Sequence, residues 1–422
     1  MQRNDDHWLR TRQLGGAAAH RLTAAGYRRA VATAEVPGLF APPPAVAAHR
    51  AVLDARRLAT ELLKPHATAA DDPARGVRRE HLDALAAAGL ASVDVPATEG
   101  GLGAPRAVDL EVVELIAGGC GATWFLLTQH ELPQNLARAP LAGLDATAAH
   151  PGPAADRHRE ALSRASALAG VAVAHLRRPR PGVVADPDGH GGYRLTGRAD
   201  WCTGWGLLDL LLVAAATAGD RFVFGIVEAT ERDGLRAGAP LPLAVMGGTA
   251  TVTLELAGCR LTSDEVLLTV DVPAWQALDR ARTANTRPAS LGLLRRVLTE
   301  LEALGHERDR AEAVDTALEL THRAVPLRAE AYALLDEPPR EHVARRTELR
   351  GRLAELTVRA AAALIAARSG SAMLLSSPEQ RWAREAAFHL VQAQTAEVRA
   401  AQLTALLHGS YGGSQSRWTP PD

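Results

Sequence analysis

Three short stretches carry side chains able to do chemistry. In Trp201-Cys202-Thr203 an indole is followed two residues later by a hydroxyl. On one strand those two positions share a face, giving an apolar wall with a hydrogen-bond donor beside it. That pairing suits a planar ring that gathers negative charge on reduction, and Trp205 extends the wall. By spacing alone the plainer reading is the stronger, with Trp201 in a core and Thr203 an ordinary strand residue. His130, within Thr128-Gln129-His130, and His389, five residues after Arg384, are imidazoles on helical stretches able to hold or move a proton near neutral pH. Taken singly, each reads first as a satisfied or surface histidine.

Other groupings are weaker. Asp186-Pro187-Asp188-Gly189-His190-Gly191 reads as a turn between strands, too local to wrap a cation, so no metal site is expected. Arg177, Arg178 and Arg180 have the geometry for phosphate contact, although a solvated hairpin accounts for them more simply. Cys120, Cys202 and Cys259 are far apart and show no paired spacing, so they read as core thiols of a reduced, cytoplasmic protein.

The elements that must position these residues fall in three blocks. Residues 1–44 read as a poorly ordered, Arg-rich extension without the apolar run of a secretory signal. Residues 45–160 read as an α-helical domain, beginning with an amphipathic stripe of Val52, Leu53, Leu58 and Leu62 and continuing in helices to about Ala149. Gly89 is a natural helix stop and Pro105 a favoured helix start. Residues 161–272 change to short apolar runs such as Leu210 to Ala215 and Phe222 to Val227, divided by Gly, Pro and Asp, which is a β barrel or sandwich. Residues 273–409 return to helical periodicity of four-helix-bundle length, and 410–422 is a polar tail. The fold class is therefore α+β, in the order α, β, α.

Composition removes whole classes of partner. Basic and acidic residues nearly cancel, 47 against 48, so no global field draws in nucleic acid or an anionic membrane. Lys64 is the single lysine, and arginine carries almost all the positive charge. The richest apolar run, Leu207 to Gly219, contains Asp209 and is too short to span a bilayer.

The order of motifs resembles the acyl-CoA dehydrogenase superfamily from Val46 to Gly409. Gly-Leu, Val-Pro and Glu-Gly-Gly-Leu-Gly within Leu85 to Gly103 are similar to its early signature turn. Gly192-Tyr193-Arg194-Leu195-Thr196-Gly197 followed by Trp201-Cys202-Thr203-Gly204 resembles the strands that carry its flavin-contacting Trp-x-Ser/Thr, and this order turns the balance toward a flavin-side Trp201 and Thr203. Arg384-Glu385-Ala386 and Thr395 fall where the family has Arg-Asp-Ala and Glu-Gly-Thr. The resemblance implies FAD as cofactor, with FMN or reduced flavin as alternatives, contacted by Trp201, Thr203 and Thr395. It further implies an acyl-CoA or related small-molecule substrate, a homodimer or homotetramer, and an electron-transfer or flavin-reductase partner.

The sequence departs from that pattern where the chemistry lies. The family's usual catalytic glutamate is replaced by Ala393, and its alternative position by Arg282 or Thr286, with Asp279 the nearest carboxylate. The Thr-Glu-Pro, Gly-Ser-Asp and Arg-x-x-Phe-Gly motifs are absent. His389 stands where flavin-dependent monooxygenases of this fold carry a histidine facing the flavin, and His130 is expected to face the same cavity from the other side. The leading expectation is a flavin-dependent oxidoreductase with His389 and His130 in its reactive cavity. A reduced-flavin monooxygenase and a non-catalytic partner subunit stand as alternatives.

Overall fold

A computed structural model of the chain describes residues 35–138, 144 and 147–409. The residues up to 34 and the tail from 410 lie outside that description, and with them most of the expected extension. Its last part does not behave as an extension. Single helical turns at Val36–Leu39 and Pro44–Ala47 lead into the body of the protein, and Val36 and Phe40 are both buried. The Val36 amide donates to both carboxylate oxygens of Glu302, at 3.0 and 3.1 Å, so this segment belongs to the folded body.

The helical block begins with α1 (Arg50–Leu58), a π-helical turn at Ala59–Leu63, and α2 (Lys64–Asp71). The wide turn has a local cause: Pro65 has no amide to donate and its ring would strike the carbonyl one turn back, so the helix widens to admit it. Then come α3 (Arg79–Ala87), α4 (Arg106–Gly119), α5 (Gly121–Leu127) and α6 (Glu131–Arg138). Helices do not continue to Ala149 as periodicity predicts. Ala149–Pro151 is strand β1, which pairs with the far end of the β-domain, and α7 (Pro153–Ser163) follows it.

The middle block holds β2 (Ala169–Ala172), β3 (Val183–Pro187), β4 (Tyr193–Cys202), β5 (Leu210–Thr217), β6 (Arg221–Glu228), β7 (Leu235–Ala237), β8 (Val252–Leu261) and β9 (Val266–Asp271). All join one sheet in the order β1-β9-β6-β5-β3-β4-β8-β7, with β2 alongside β5. Strand β5 is buried on both faces. Leu211, Val213 and Ala215 pack with Leu195, Leu254 and Leu261 inside the curled sheet, whereas Leu210, Leu212 and Ala214 pack with Leu162, Phe224 and Trp275 beneath α7 and the helix that follows β9. This is why the run read as continuously apolar rather than alternating.

The C-terminal block is α8 (Val272–Thr283), α9 (Pro288–Glu307), α10 (Ala311–Ala333), α11 (Val343–Arg368), α12 (Pro378–Val391) and α13 (Ala396–His408). Gly292 on α9 and Gly118 on α4 let these helices touch backbone to backbone: a Cβ on Gly292 would lie 2.1 Å from the Glu114 carbonyl oxygen. The N-terminal and C-terminal helices are thereby fused along one seam.

Candidate functional site

The Trp201 turn is built by a break in strand regularity. Pairing of β4 with β8 slips between Ala199 and Cys202, and Trp201 has φ 64°, a left-handed conformation that a bulky residue seldom holds. The two side chains therefore do not share a face. Trp201 is thrown outward with 56% of its surface exposed, while Thr203 is buried. The hydroxyls beneath form a directed chain. Thr249 donates to the Met246 carbonyl at 2.7 Å, leaving it to accept from Thr251 at 2.9 Å, and Thr251 in turn accepts from Thr203 at 3.0 Å. A hydroxyl has one proton, so that of Thr203 is directed inward. Arg384 pins the same segment through the Ala244 carbonyl at 2.7 Å and Asp71 at 2.6 Å.

His130 is a tie between elements. Its Nδ1 accepts from the Ala169 amide at 3.1 Å and its Nε2 donates to the Leu162 carbonyl at 2.9 Å, joining α6, α7 and β2. His175 is held the same way, between the Gly182 amide and the Ala214 carbonyl. Burial drives both down to about 4. Folded values lie below the unfolded ~6.5, so each contributes stability in full above pH 6.5 and loses it as pH falls through 4, roughly 3 kcal/mol apiece. Asp109 and Glu385, both raised to about 7 chiefly by burial, act in the opposite sense, so the net slope is shallower than the imidazoles alone give. Nitrogen-15 NMR should find both rings as the neutral Nε2–H tautomer at pH 5.5; an imidazolium there would overturn the assignment.

His389 lies in a different setting. It is buried on the last turn of α12, with its ring 5.4 Å from that of Trp124 and 5.8 Å from that of Phe388, which in turn meets Phe125 edge-on at 4.8 Å. Its Nδ1 meets no partner at full hydrogen-bond geometry, although the Gln392 side chain is near enough to raise the pKa of the ring, and Thr286 Oγ1, Arg287 Nε and Gln392 Oε1 are likewise unpaired. Buried polar atoms are normally paired, so four orphans on the α8–α9 turn and the end of α12 mark a polar recess. Burial first, then the nearby charges of Arg350 and Arg287, push His389 down to about 3. It is therefore a neutral ring across the physiological range. Ala393, where the resemblance implies the glutamate position, has φ 46° and brings no carboxylate.

His130 and His389 have no partner in common: backbone groups occupy both nitrogens of His130, whereas His389 packs against aromatic rings. Thr395 caps α13, accepting from the Val398 amide at 3.3 Å, and lines a separate cavity of about 300 Å³ with Arg280, Arg340 and Thr347. Arg177 is paired bidentately with Asp279 at 2.7 and 2.8 Å, and Arg178 with Asp200 at 2.6 Å. Asp188 accepts from the His190 and Gly192 amides and closes its turn. Sequence reasoning missed three carboxylates. Glu131 accepts from the Thr128 hydroxyl at 3.1 Å and is raised by the protein around it, although its own side chain is exposed; Asp109 is raised first by burial and then by Asp94 and Glu131. Asp94, Asp109 and Glu131 come from separate elements, and no spacing links them.

Residues 47–139 match the model of the acyl-CoA dehydrogenase N-terminal domain. Among solved structures, the butyryl-CoA dehydrogenase of Megasphaera elsdenii is similar with TM-score 0.68 at 17% identity, covering 85% of this chain and 97% of that one. The dibenzothiophene monooxygenase of Paenibacillus sp. A11-2 gives 0.65 at 18% identity, with 85% and 97% covered. A nitrososynthase of Micromonospora carbonacea var. africana gives 0.64 at 19% identity, with 89% and 100% covered. No curated protein matches at the level of sequence. Residues 47–139 thus match the N-terminal domain of the acyl-CoA dehydrogenases, and the fold of the whole chain is similar to theirs. Its structural relatives include both dehydrogenases and monooxygenases. Among the described residues no helix is long and apolar enough to cross a membrane.

Proposed function

We propose that the chain is a flavin-dependent oxidoreductase of the reduced-flavin monooxygenase type. The observation that carries this reading is the neutral, buried His389 with a free Nδ1, in a recess where Ala393 and Thr286 supply no carboxylate. Removing the α-proton of an acyl thioester calls for a strong base; an imidazole near pKa 3 is a poor one, yet it is well suited to exchanging hydrogen bonds without carrying charge.

The residues fit a flavin at one end. Trp201 offers an exposed indole in a strained backbone, the kind of strain that persists where function requires it. Thr203 would contribute through its backbone, because its hydroxyl proton is engaged. Reduced flavin, FAD or FMN, supplies the electron pair that activates dioxygen. His389 would accept or donate a hydrogen bond at Nδ1, while Trp124 and Phe388, packed against its ring, would keep water from it. An acyl-CoA dehydrogenase reading would have to take its base from Glu131, the raised carboxylate whose field reaches Arg282 and Arg287. The non-catalytic reading requires that no flavin bind.

Flavin absorbance titrations of the full chain, oxidised and dithionite-reduced, test the proposal, with oxygen consumption as the second readout. Absence of affinity in both redox states would overturn it. Trp201→Ala should weaken flavin binding by roughly 10-fold or more through loss of ring contact. Because the side chain is exposed, folding stability should move by less than about 0.5 kcal/mol; unchanged flavin affinity in that variant would remove Trp201 from the site.

Two further features accord with this reading. Leu403, Leu406 and Leu407 on α13 are exposed, as are Val391 and the Met373-Leu374-Leu375 turn, an apolar surface in keeping with a homodimer or homotetramer. Cys120, Cys202 and Cys259 are all free and buried, as in a reducing cytoplasm. A separate flavin reductase or electron-transfer protein would supply reducing equivalents.

A further inference from the structure

The recess around His389 holds more positive charge than its carboxylates balance. Arg177 is matched by Asp279. Among the described residues Arg282, Arg287 and Arg350 are in no ion pair, although each lies in the field of other arginines. Glu131 acts on Arg282 and Arg287 without contact, and Asp279, already paired with Arg177, acts more weakly on Arg287. Arg350 is buried, and its guanidinium donates only to carbonyl oxygens, those of Thr283 and of Gln392, the latter at 2.6 Å. Burial and neighbouring arginines push it down to about 9. Uncompensated buried charge is expensive and is seldom kept without a function.

The turn carrying these groups is also rigid. Buried Arg346 holds it from below, donating to Asn285 Oδ1 at 2.8 Å and to the carbonyls of Glu337 and Glu341 at 3.1 and 2.8 Å. Arg350 holds its start through Thr283. Ala284 to Arg287 is thus fixed before any ligand arrives, with Thr286 Oγ1 and Arg287 Nε unsatisfied. Guanidinium groups fixed in advance recognise planar or tetrahedral oxoanions at little ordering cost.

We propose that the α8–α9 turn is an oxoanion-recognition element, in which Arg287, with Arg282 and Thr286, holds a carboxylate or phosphate of the substrate beside His389. The word substrate rests on the flavin-enzyme reading; the anion site itself does not. An acidic small molecule is thereby the substrate class. Its anionic group offsets the charge the recess lacks, and its reacting portion is directed toward Trp124 and His389.

Calorimetric titration of the full chain with glutarate and with inorganic phosphate, at constant ionic strength, tests this. At least one anion should bind saturably with and without FAD. Arg287→Gln should weaken that binding by roughly 10- to 100-fold, the span expected for hydrogen bonds to a charged group, whereas Arg180→Gln on the exposed hairpin should leave it unchanged. Arg287→Gln should also raise the melting temperature of the ligand-free protein by relieving an unpaired, partly buried charge; a lower melting temperature would mean a structural arginine and overturn the proposal. Failure of both anions to bind, or equal binding by Arg287→Gln, would overturn it as well. Competition between the anion and FAD would give the recess to the cofactor and overturn the substrate assignment. Anion binding in a protein without flavin affinity would uphold the site while defeating the enzyme reading.

Discussion

Arg328→Leu should lower folding stability by about 3–5 kcal/mol, the cost of leaving a buried charge without its partner. Glu111 and Glu114 lie on α4, each with 1% of its surface exposed, at the seam with α9 and α10. Arg328 donates to Glu114 at 2.6 Å and reaches Glu111 at 3.4 Å, while Arg295 donates to Glu111 at 2.8 Å. Tyr332 adds a hydroxyl donor to Glu114 at 2.5 Å, and the Arg328 guanidinium lies 4.9 Å from its ring centre. Two carboxylates thus face two guanidiniums, and the network is neutral as a whole. Removing Arg328 leaves both carboxylates to Arg295 alone. Urea unfolding followed by circular dichroism measures the loss, and adding Glu114→Leu should restore most of it, since the pair can be replaced by apolar contact. A loss below about 1 kcal/mol would mean that water reaches the network and screens it. This seam joins the N-terminal and C-terminal helices, so its loss should also broaden the transition.

His389→Ala should lower the rate of substrate oxygenation by about 10²–10⁴-fold, the usual contribution of a positioned acid or base. The companion variant His389→Phe separates chemistry from packing. Phenylalanine keeps a ring against Trp124, 5.4 Å away in the native protein, but has no nitrogen to bond with. If His389 acts through Nδ1, both variants lose activity, with flavin affinity and melting temperature retained in the Phe form. If His389→Phe keeps its rate, the histidine is packing and the oxygenase reading fails. The native rate should show no step near pH 6.5 from this ring, because its pKa lies near 3.

Much of the fold was legible in the amino-acid pattern because helices and strands bury different periodicities. The three-block order follows from stripes such as Val52, Leu58 and Leu62 and from runs such as Leu210 to Ala215, and each became an element of the expected kind. The boundaries were less legible. Ala149–Pro151 is a strand because β9 offers an edge distant in sequence, and Val36 to Phe40 is buried because Glu302 accepts the Val36 amide. Neither partner can be seen from local spacing.

The site divides along the same line. Sequence alone singled out Trp201, Thr203, His130 and His389 as candidates, with Ala393 at the position where the resemblance implies a carboxylate. Only the tertiary structure decided what each one faces. A register slip sends Trp201 outward and Thr203 inward; backbone groups from β2 and α7 occupy both nitrogens of His130; and the packing of α5 against α12 leaves Nδ1 of His389 unpaired. The unbalanced arginines of the α8–α9 turn were likewise invisible. Periodicity and motif order are properties of neighbours along the chain, and they determined the fold. Hydrogen-bond satisfaction and charge balance are properties of neighbours in space, and they decided which residues remain free to meet a ligand.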